Sequence, residues 1–306
     1  MKIKHLTYQG HEAMELSNGT VKLIVLVDVG PRVIFYGYEQ GPNEFQDFPE
    51  QLAARAKKWV SYGGTRLWVA PENQRTYFPD NVPVEVARHG RAVRLITPEE
   101  RRPYPTHLQK SIDIQLAPSG TEAALTYKIT NHGPANEMAP WTISVMRRGG
   151  HAILPLPERA PWGPKNYLPN GQVILWSYTD FSDTRLKMGR QYIELHHQDR
   201  PRGQFTQQKI GVRTPDGWGA YYNAGHLFIK RTRHEAQAQY PDLGCNFETY
   251  TEPGFLELET LGPVRTLARG ATATHAEKWR LFDQVPAGRG DEWINREVLP
   301  RVRKMK

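Results

Sequence analysis

Cysteine is almost missing from this chain. Cys245 is the only one in 306 residues. One thiol excludes an intramolecular disulfide, and any metal site would have to draw on other residue types. Long apolar runs are missing as well. The longest, Leu23 to Val27, is far too short to cross a bilayer as a helix. The opening MKIKHLTYQG lacks the apolar core of a secretory signal. A cytoplasmic protein without membrane contact is therefore expected. Extended charge blocks do not occur either. The formal net charge is +8, but the basic runs (Arg101–Arg102, Arg147–Arg148, Arg231–Arg233, Arg301 to Lys306) are short and dispersed. No zinc finger, RNA-recognition motif or basic helix accompanies them, so nucleic acid is not an expected partner. The excess base reads first as a solvated surface. Its sharper reading is an anionic ligand, such as a phosphorylated or uronic sugar.

Hydrophobic content of 39% and charged content of 24% suit a globular protein. The 24 prolines and 26 glycines are spread along the chain as turn punctuation. Strand-like segments lie between them, including Val21–Val29, Arg32–Tyr38, Arg66–Ala70, Ser111–Ala117, Glu122–Asn131, Trp141–Met146, Gln172–Tyr178, Lys209–Thr214, Gly217–Asn223, Cys245–Thr251, Phe255–Leu261 and Ala273–Phe282. Turn signals such as Pro118–Ser119–Gly120 and Pro215–Asp216–Gly217 separate them. Many short strands at this spacing predict an all-β sandwich or barrel, read as one domain over residues 1–306. Helical periodicity is confined to Glu50–Lys58, after Pro49, and to Asp291–Val302. The second is expected to form a C-terminal helix with a basic tail over 290–306.

Alternate strand residues face opposite sides of a sheet. Leu67 and Val69 then share a core face, and Arg66 and Trp68 the other. The same rule places Cys245 with Phe247, and Asn246 with Glu248 and Tyr250. It places Leu256 with Leu258, Glu257 with Glu259, and Trp176 with Tyr178 and Asp180. Several strands therefore carry an apolar face backed by a face of aromatic rings, carboxylates, an amide and a guanidinium. Antiparallel sheets often leave one face in water. A polar face rich in Trp and Tyr, however, is a patch that calls for a partner. The mixture suits sugars, because rings stack on a pyranose C–H face while planar polar groups bind its hydroxyls.

Several segments together resemble the galactose mutarotase-like superfamily, which includes aldose 1-epimerases and hexose-6-phosphate epimerases. They are VKLIVLVDVGPRVIFYGYEQGPNEF, WVSYGGTRLWVAPE, EAALTYKITNHGPANEMAPWTISVM, CNFETYT and LARGATATHAEKWRLF, which span nearly the whole chain in the family's order. The resemblance is to an uncharacterised bacterial branch. It implies a large antiparallel two-sheet β-sandwich with one or two short peripheral helices and a sugar in an open groove. For an epimerase it implies a glutamate general base and a general acid, with no metal or organic cofactor. The base takes the anomeric hydroxyl proton while the acid protonates the ring oxygen.

On this resemblance Glu248 is the expected base, with Glu259 or Glu257 as rivals. The family's two histidines are missing. Thr65 and Arg66 follow Gly63–Gly64, and Ser144 and Val145 occupy the second position. The acid would then be His107, Tyr250, Tyr62 or Glu137. Arg66, Trp68, Glu72, Arg75 and Asp80 form a dense cluster, and with Glu137, Trp176, Asn246, Tyr250 and Glu257 they are the expected substrate contacts. Arg66 or Arg75 could grip an anionic group. An alternative for Arg75 and Asp80 is a loop ion pair with each other. His196–His197 and Asp199 read as surface residues, because adjacent strand side chains diverge. Three readings follow: an acid–base sugar epimerase, a non-catalytic carbohydrate-binding protein, or a glycoside hydrolase or lyase. The last would need a second carboxylate from Glu72, Asp80, Glu137 or Glu259. The sequence does not define an oligomeric state.

Overall fold

A computed structural model describes residues 1–54, 58–199 and 206–305. Its strands form two antiparallel sheets. The first runs, in spatial order, Lys2–Tyr8, His11–Ser17, Val21–Leu26, Arg32–Tyr38, Thr65–Ala70, Asn136–Met146, Phe255–Leu261, Phe247–Glu252, Gln208–Val212 and Val173–Leu175. The short strand Arg265–Leu267 pairs with the start of Asn136–Met146. The second sheet runs Leu186–Met188, Tyr192–His196, His151–Pro155, Trp218–Asn223, His226–Thr232, Thr272–Phe282, Ala123–Asn131, Leu108–Leu116, Ala92–Ile96 and Glu85–His89. The molecule is an all-β sandwich.

The alternation of side chains explains the stacking. Leu67, Val69, Leu256, Leu258 and Phe247 point inward from the first sheet and meet Leu125, Tyr127, Ile129, Phe228 and Trp279 of the second. Tyr36 and Phe45 pack their rings against Trp279 at 5.7 and 5.5 Å. This layer buries apolar area from both sheets at once, which supplies most of the stabilisation of such a fold.

Each sheet also has an outer face. On the second sheet part of that face is covered by a C-terminal helix running from Gly290 to Arg303, with a wider π-type turn over Ile294–Val298. Trp293, Ile294, Val298 and Val302 pack on Ile153, Tyr222, Leu227 and Ile229. The helix expected over Asp291–Val302 is therefore present, with Trp293, Ile294 and Val298 buried and Leu299 half-buried. The other predicted helix spans Pro49–Ala54, with Leu52 buried, and residues 55–57 of the expected Glu50–Lys58 segment lie outside the described residues. No helix among the described residues is long and apolar enough to cross a membrane.

Candidate functional site

The outer face of the first sheet carries the site. Register places its components in rows. Arg66 lies opposite Ile143, Ile143 opposite Glu259, and Glu259 opposite Glu248. One step along, Tyr250 lies opposite both Glu257 and Lys209. Trp68 lies opposite Trp141. Five neighbouring strands thus project one polar-aromatic surface, and a cavity of about 290 Å³ opens over it.

One wall is aromatic. Trp59, Trp68, Tyr77 and Trp141 pack in tilted and edge-to-face pairs with ring centroids 5.1–5.2 Å apart. Tyr178, Tyr250 and Phe255 form a second aromatic wall. The polar groups between them are Arg66, Lys209, Glu72, Glu252 and Glu257. Arg66 donates to Glu257 at 2.9 Å and stacks on Trp68 at 4.3 Å. Tyr77 donates to Glu72, and Tyr250 donates to Glu252 at 3.0 Å. Burial pushes the Glu257 carboxyl up, against the pull of Arg66. Burial also pushes the Tyr178 phenol up to about 12.

Behind the floor lies a charged cluster. The Lys209 ammonium sits 2.7 Å from Glu248 and 3.3 Å from Glu259. The rings of Trp141 and Trp176 flank it at 4.8 and 4.5 Å. Trp141 Nε1 donates to Glu259 at 2.8 Å, and the Cys245 thiol donates to Glu248 at 2.7 Å. Gly211 lies directly across from Glu248, and a Cβ there would come within 3.1 Å of both Cys245 Sγ and the Trp176 ring. Its missing side chain makes room for that thiol and that ring. Burial pushes Glu248 up to about 8. Lys209 pulls it down, but Glu259 and Asp242 add to the upward push. Lys209 itself is held protonated, since its two carboxylates outweigh the desolvation of its own charge.

The rim depends on close backbone approach. Gly63 and Gly64 have φ of +86° and +69°, and a Cβ at either would strike backbone at 2.1–2.3 Å. Arg32, fully buried, donates to the Ser61 and Gly63 carbonyls at 2.7 Å and to Asp80 at 2.6 Å. This clamp holds the segment that brings Trp59 and Ser61 to the cavity.

The structure gathers Arg66, Trp68, Glu72, Tyr250 and Glu257 around the cavity, with Glu248, Glu259 and Trp176 packed against Lys209 beneath it. It places the other expected residues elsewhere. His107 is half-exposed, immediately precedes the strand Leu108–Leu116 of the second sheet, and pairs with Glu99 at 3.0 Å. Asp80 neutralises Arg32 rather than Arg75, while Arg75 donates to the Glu137 carbonyl at 2.9 Å. Glu137 is exposed outside the cavity. Tyr62 is buried beside Arg32 and His11. Asn246 is buried and bonds both backbone groups of Thr214, at 2.8 and 2.9 Å. Two face assignments change. The strand begins only at Phe247, so Cys245 leaves the alternation and turns toward Glu248. The strand Val173–Leu175 ends before Trp176, whose orientation is set by a turn closed by the Thr179 backbone N–H.

His197 does not lie on the surface as expected, whereas Asp199 is exposed and His196 partly so. His197 is buried and accepts the Gly149 N–H at 3.1 Å, while His196 stacks on His151. Sequence reasoning also missed Trp59, Tyr77, Trp141 and Lys209. The alternation of Lys209 against Ile210 in a strand that buries Val212 was a usable signal for the lysine.

Comparison with known proteins places this fold. No family model matches the sequence, and no curated protein matches it. Solved structures do match. A TPR-domain containing protein from Parabacteroides distasonis aligns over 91% of this chain and 48% of its own, with a TM-score of 0.59 and 14% identity. This chain spans about half the length of that protein. A provisionally assigned aldose 1-epimerase from Escherichia coli K12 aligns over 92% of this chain and 100% of its own, at TM-score 0.53 and 15% identity. A galactose mutarotase related enzyme from Lactobacillus acidophilus aligns over 89% and 98%, at TM-score 0.52 and 10% identity. The chain therefore has the galactose mutarotase-like fold. At these identities the likeness concerns the fold alone, since one fold hosts many functions.

Proposed function

We propose that this protein binds a neutral carbohydrate, with one pyranose unit seated in the cavity over the first sheet. The observation that carries this reading is the pairing of the Trp59–Trp68–Tyr77–Trp141 cluster with planar charged groups across one small cavity. Its volume of about 290 Å³ lies at the lower end of small-molecule pockets, which suits a single sugar unit. A neutral ligand is favoured over an anionic one by charge balance. Arg66 already pairs with Glu257, and Lys209 with Glu248 and Glu259. An anionic sugar would have to break one of these pairs and would meet the remaining carboxylates.

The test is an NMR titration with neutral, phosphorylated and uronic sugars, on wild type and Trp59→Ala. A neutral pyranose is expected to perturb the cavity indoles. Loss of one aromatic contact worth about 0.5–1.5 kcal/mol is expected to weaken binding up to about tenfold. Binding to no sugar would sink the reading. Preference for a phosphorylated or uronic sugar would sink its neutral part.

A sugar epimerase is the second reading, favoured by Glu257, a wall carboxylate whose proton affinity is raised by burial. A base there would take the anomeric hydroxyl proton. The C1–O5 bond would break as an acid protonates O5, and the ring would reclose on the other face. Glu248 is not among the groups lining the cavity and acts only through Lys209. Anomer exchange that is accelerated by wild type and by Glu248→Gln, but not by Glu257→Gln, supports this reading. No acceleration by wild type leaves a binding protein.

A further inference from the structure

A second cluster lies on the far side of the molecule, under the C-terminal helix. His151 and His196 are cross-strand partners, and Glu194 precedes His196 by two residues on the same face. The two imidazoles stack with centroids 4.5 Å apart. His151 Nε2 faces Glu194 Oε2 at 3.2 Å, and His196 Nε2 faces the same oxygen at 3.8 Å. These contacts do not have hydrogen-bond geometry, and none of the three atoms has a hydrogen-bond partner among the described residues. His151 and Glu194 are 94% and 96% buried, by the complement of their exposures of 6% and 4%. Three buried polar atoms left without a hydrogen-bond partner are a costly arrangement. A shared cation removes that cost.

We propose that His151, Glu194 and His196 form a Zn²⁺ site. Zinc–nitrogen and zinc–oxygen bonds of about 2.0–2.1 Å at tetrahedral angles require ligand atoms roughly 3.3 Å apart. The observed separations of 3.2 and 3.8 Å lie close to that spacing, and all three ligand atoms fall within 4.8 Å of one another. Two imidazoles and a carboxylate match the donor preference of zinc, and three protein ligands leave one position for water. The support around the ligands is built. Glu194 Oε1 accepts the Gly290 N–H at 2.8 Å, which fixes the carboxylate and frees Oε2. Trp293 and Tyr222 wall the His151 ring at 5.8 and 5.5 Å. His196 keeps a fifth of its side chain exposed, which provides an entry path. The metal would tie the His151–Pro155 and Tyr192–His196 strands to the start of the C-terminal helix through Glu194.

The test is Zn²⁺ titration of the untagged, metal-stripped full chain by calorimetry, with His196→Ala and Glu194→Gln as variants. One equivalent is expected for wild type, with a higher melting temperature once loaded. Either variant is expected to weaken binding by more than the roughly 10–100-fold that loss of an outer partner costs. X-ray absorption of the loaded wild type keeps the proposal open to refutation should a variant fail to fold. It should show two imidazole nitrogens and one carboxylate oxygen at about 2.0–2.1 Å. No uptake by wild type, equal affinity in the variants, or a different ligand set overturns the site.

Discussion

Lys209 and Glu248 form an ion pair of 2.7 Å in which both side chains are buried, and the lysine shares its charge with Glu259 at 3.3 Å. One ammonium thus faces two carboxylates below the cavity floor. A single positive charge cannot neutralise both, which is why burial and mutual repulsion raise the proton affinity of Glu248.

Lys209→Met removes the cation that the two carboxylates share. Breaking a buried pair by removing one partner typically costs about 3–5 kcal/mol. That loss is expected at pH 7 in urea unfolding. A cost below about 1 kcal/mol at pH 7 would show that the ammonium contributes little to the fold.

Glu248→Gln should change how stability depends on pH. The folded value of about 8 lies above the ordinary 4.5. A raised value means that the stability contributed by Glu248 is fully present below about pH 4.5 and is lost as pH rises toward about 8. Wild type should therefore lose stability relative to Glu248→Gln across that window, by roughly 2–4 kcal/mol. His275 and Glu277, held at about 4 and about 2, titrate in both proteins and cancel in the difference. Melting curves of the pair at pH 5, 6, 7 and 8 provide the check. A flat difference, or one of opposite slope, would count against a raised Glu248.

Asn246→Ala separates structure from ligand contact. The amide is buried and bonds both the N–H and the carbonyl of Thr214. Orphaning them is expected to cost about 1–3 kcal/mol. Sugar titrations of the folded variant should match wild type. A variant with normal stability and weakened sugar binding would return Asn246 to the site.

Much of the fold was legible in the strands themselves. Period-two alternation in RLWVA and FLELETL put Leu67, Val69, Leu256 and Leu258 in the core, and they are there. The same alternation put Arg66, Trp68, Glu257 and Glu259 on the opposite face, where they lie. The reading lost its grip where a strand stopped. Cys245 sits before its strand and Trp176 after its own, so backbone turns rather than alternation set where they point.

What the sequence by itself determined, then, is the local pattern: strands, turns, an inward face and an outward face rich in rings and charges. Only the tertiary structure decided which outward residues meet. It brings Lys209 against Glu248 and Glu259, sends Asp80 to Arg32, leaves His107 beside the other sheet, and sets His151 across from His196. The reason is physical. Alternation is fixed by neighbours in the chain, whereas charge pairing depends on strands up to 191 positions apart, as in Arg66 and Glu257, and no local preference encodes that distance.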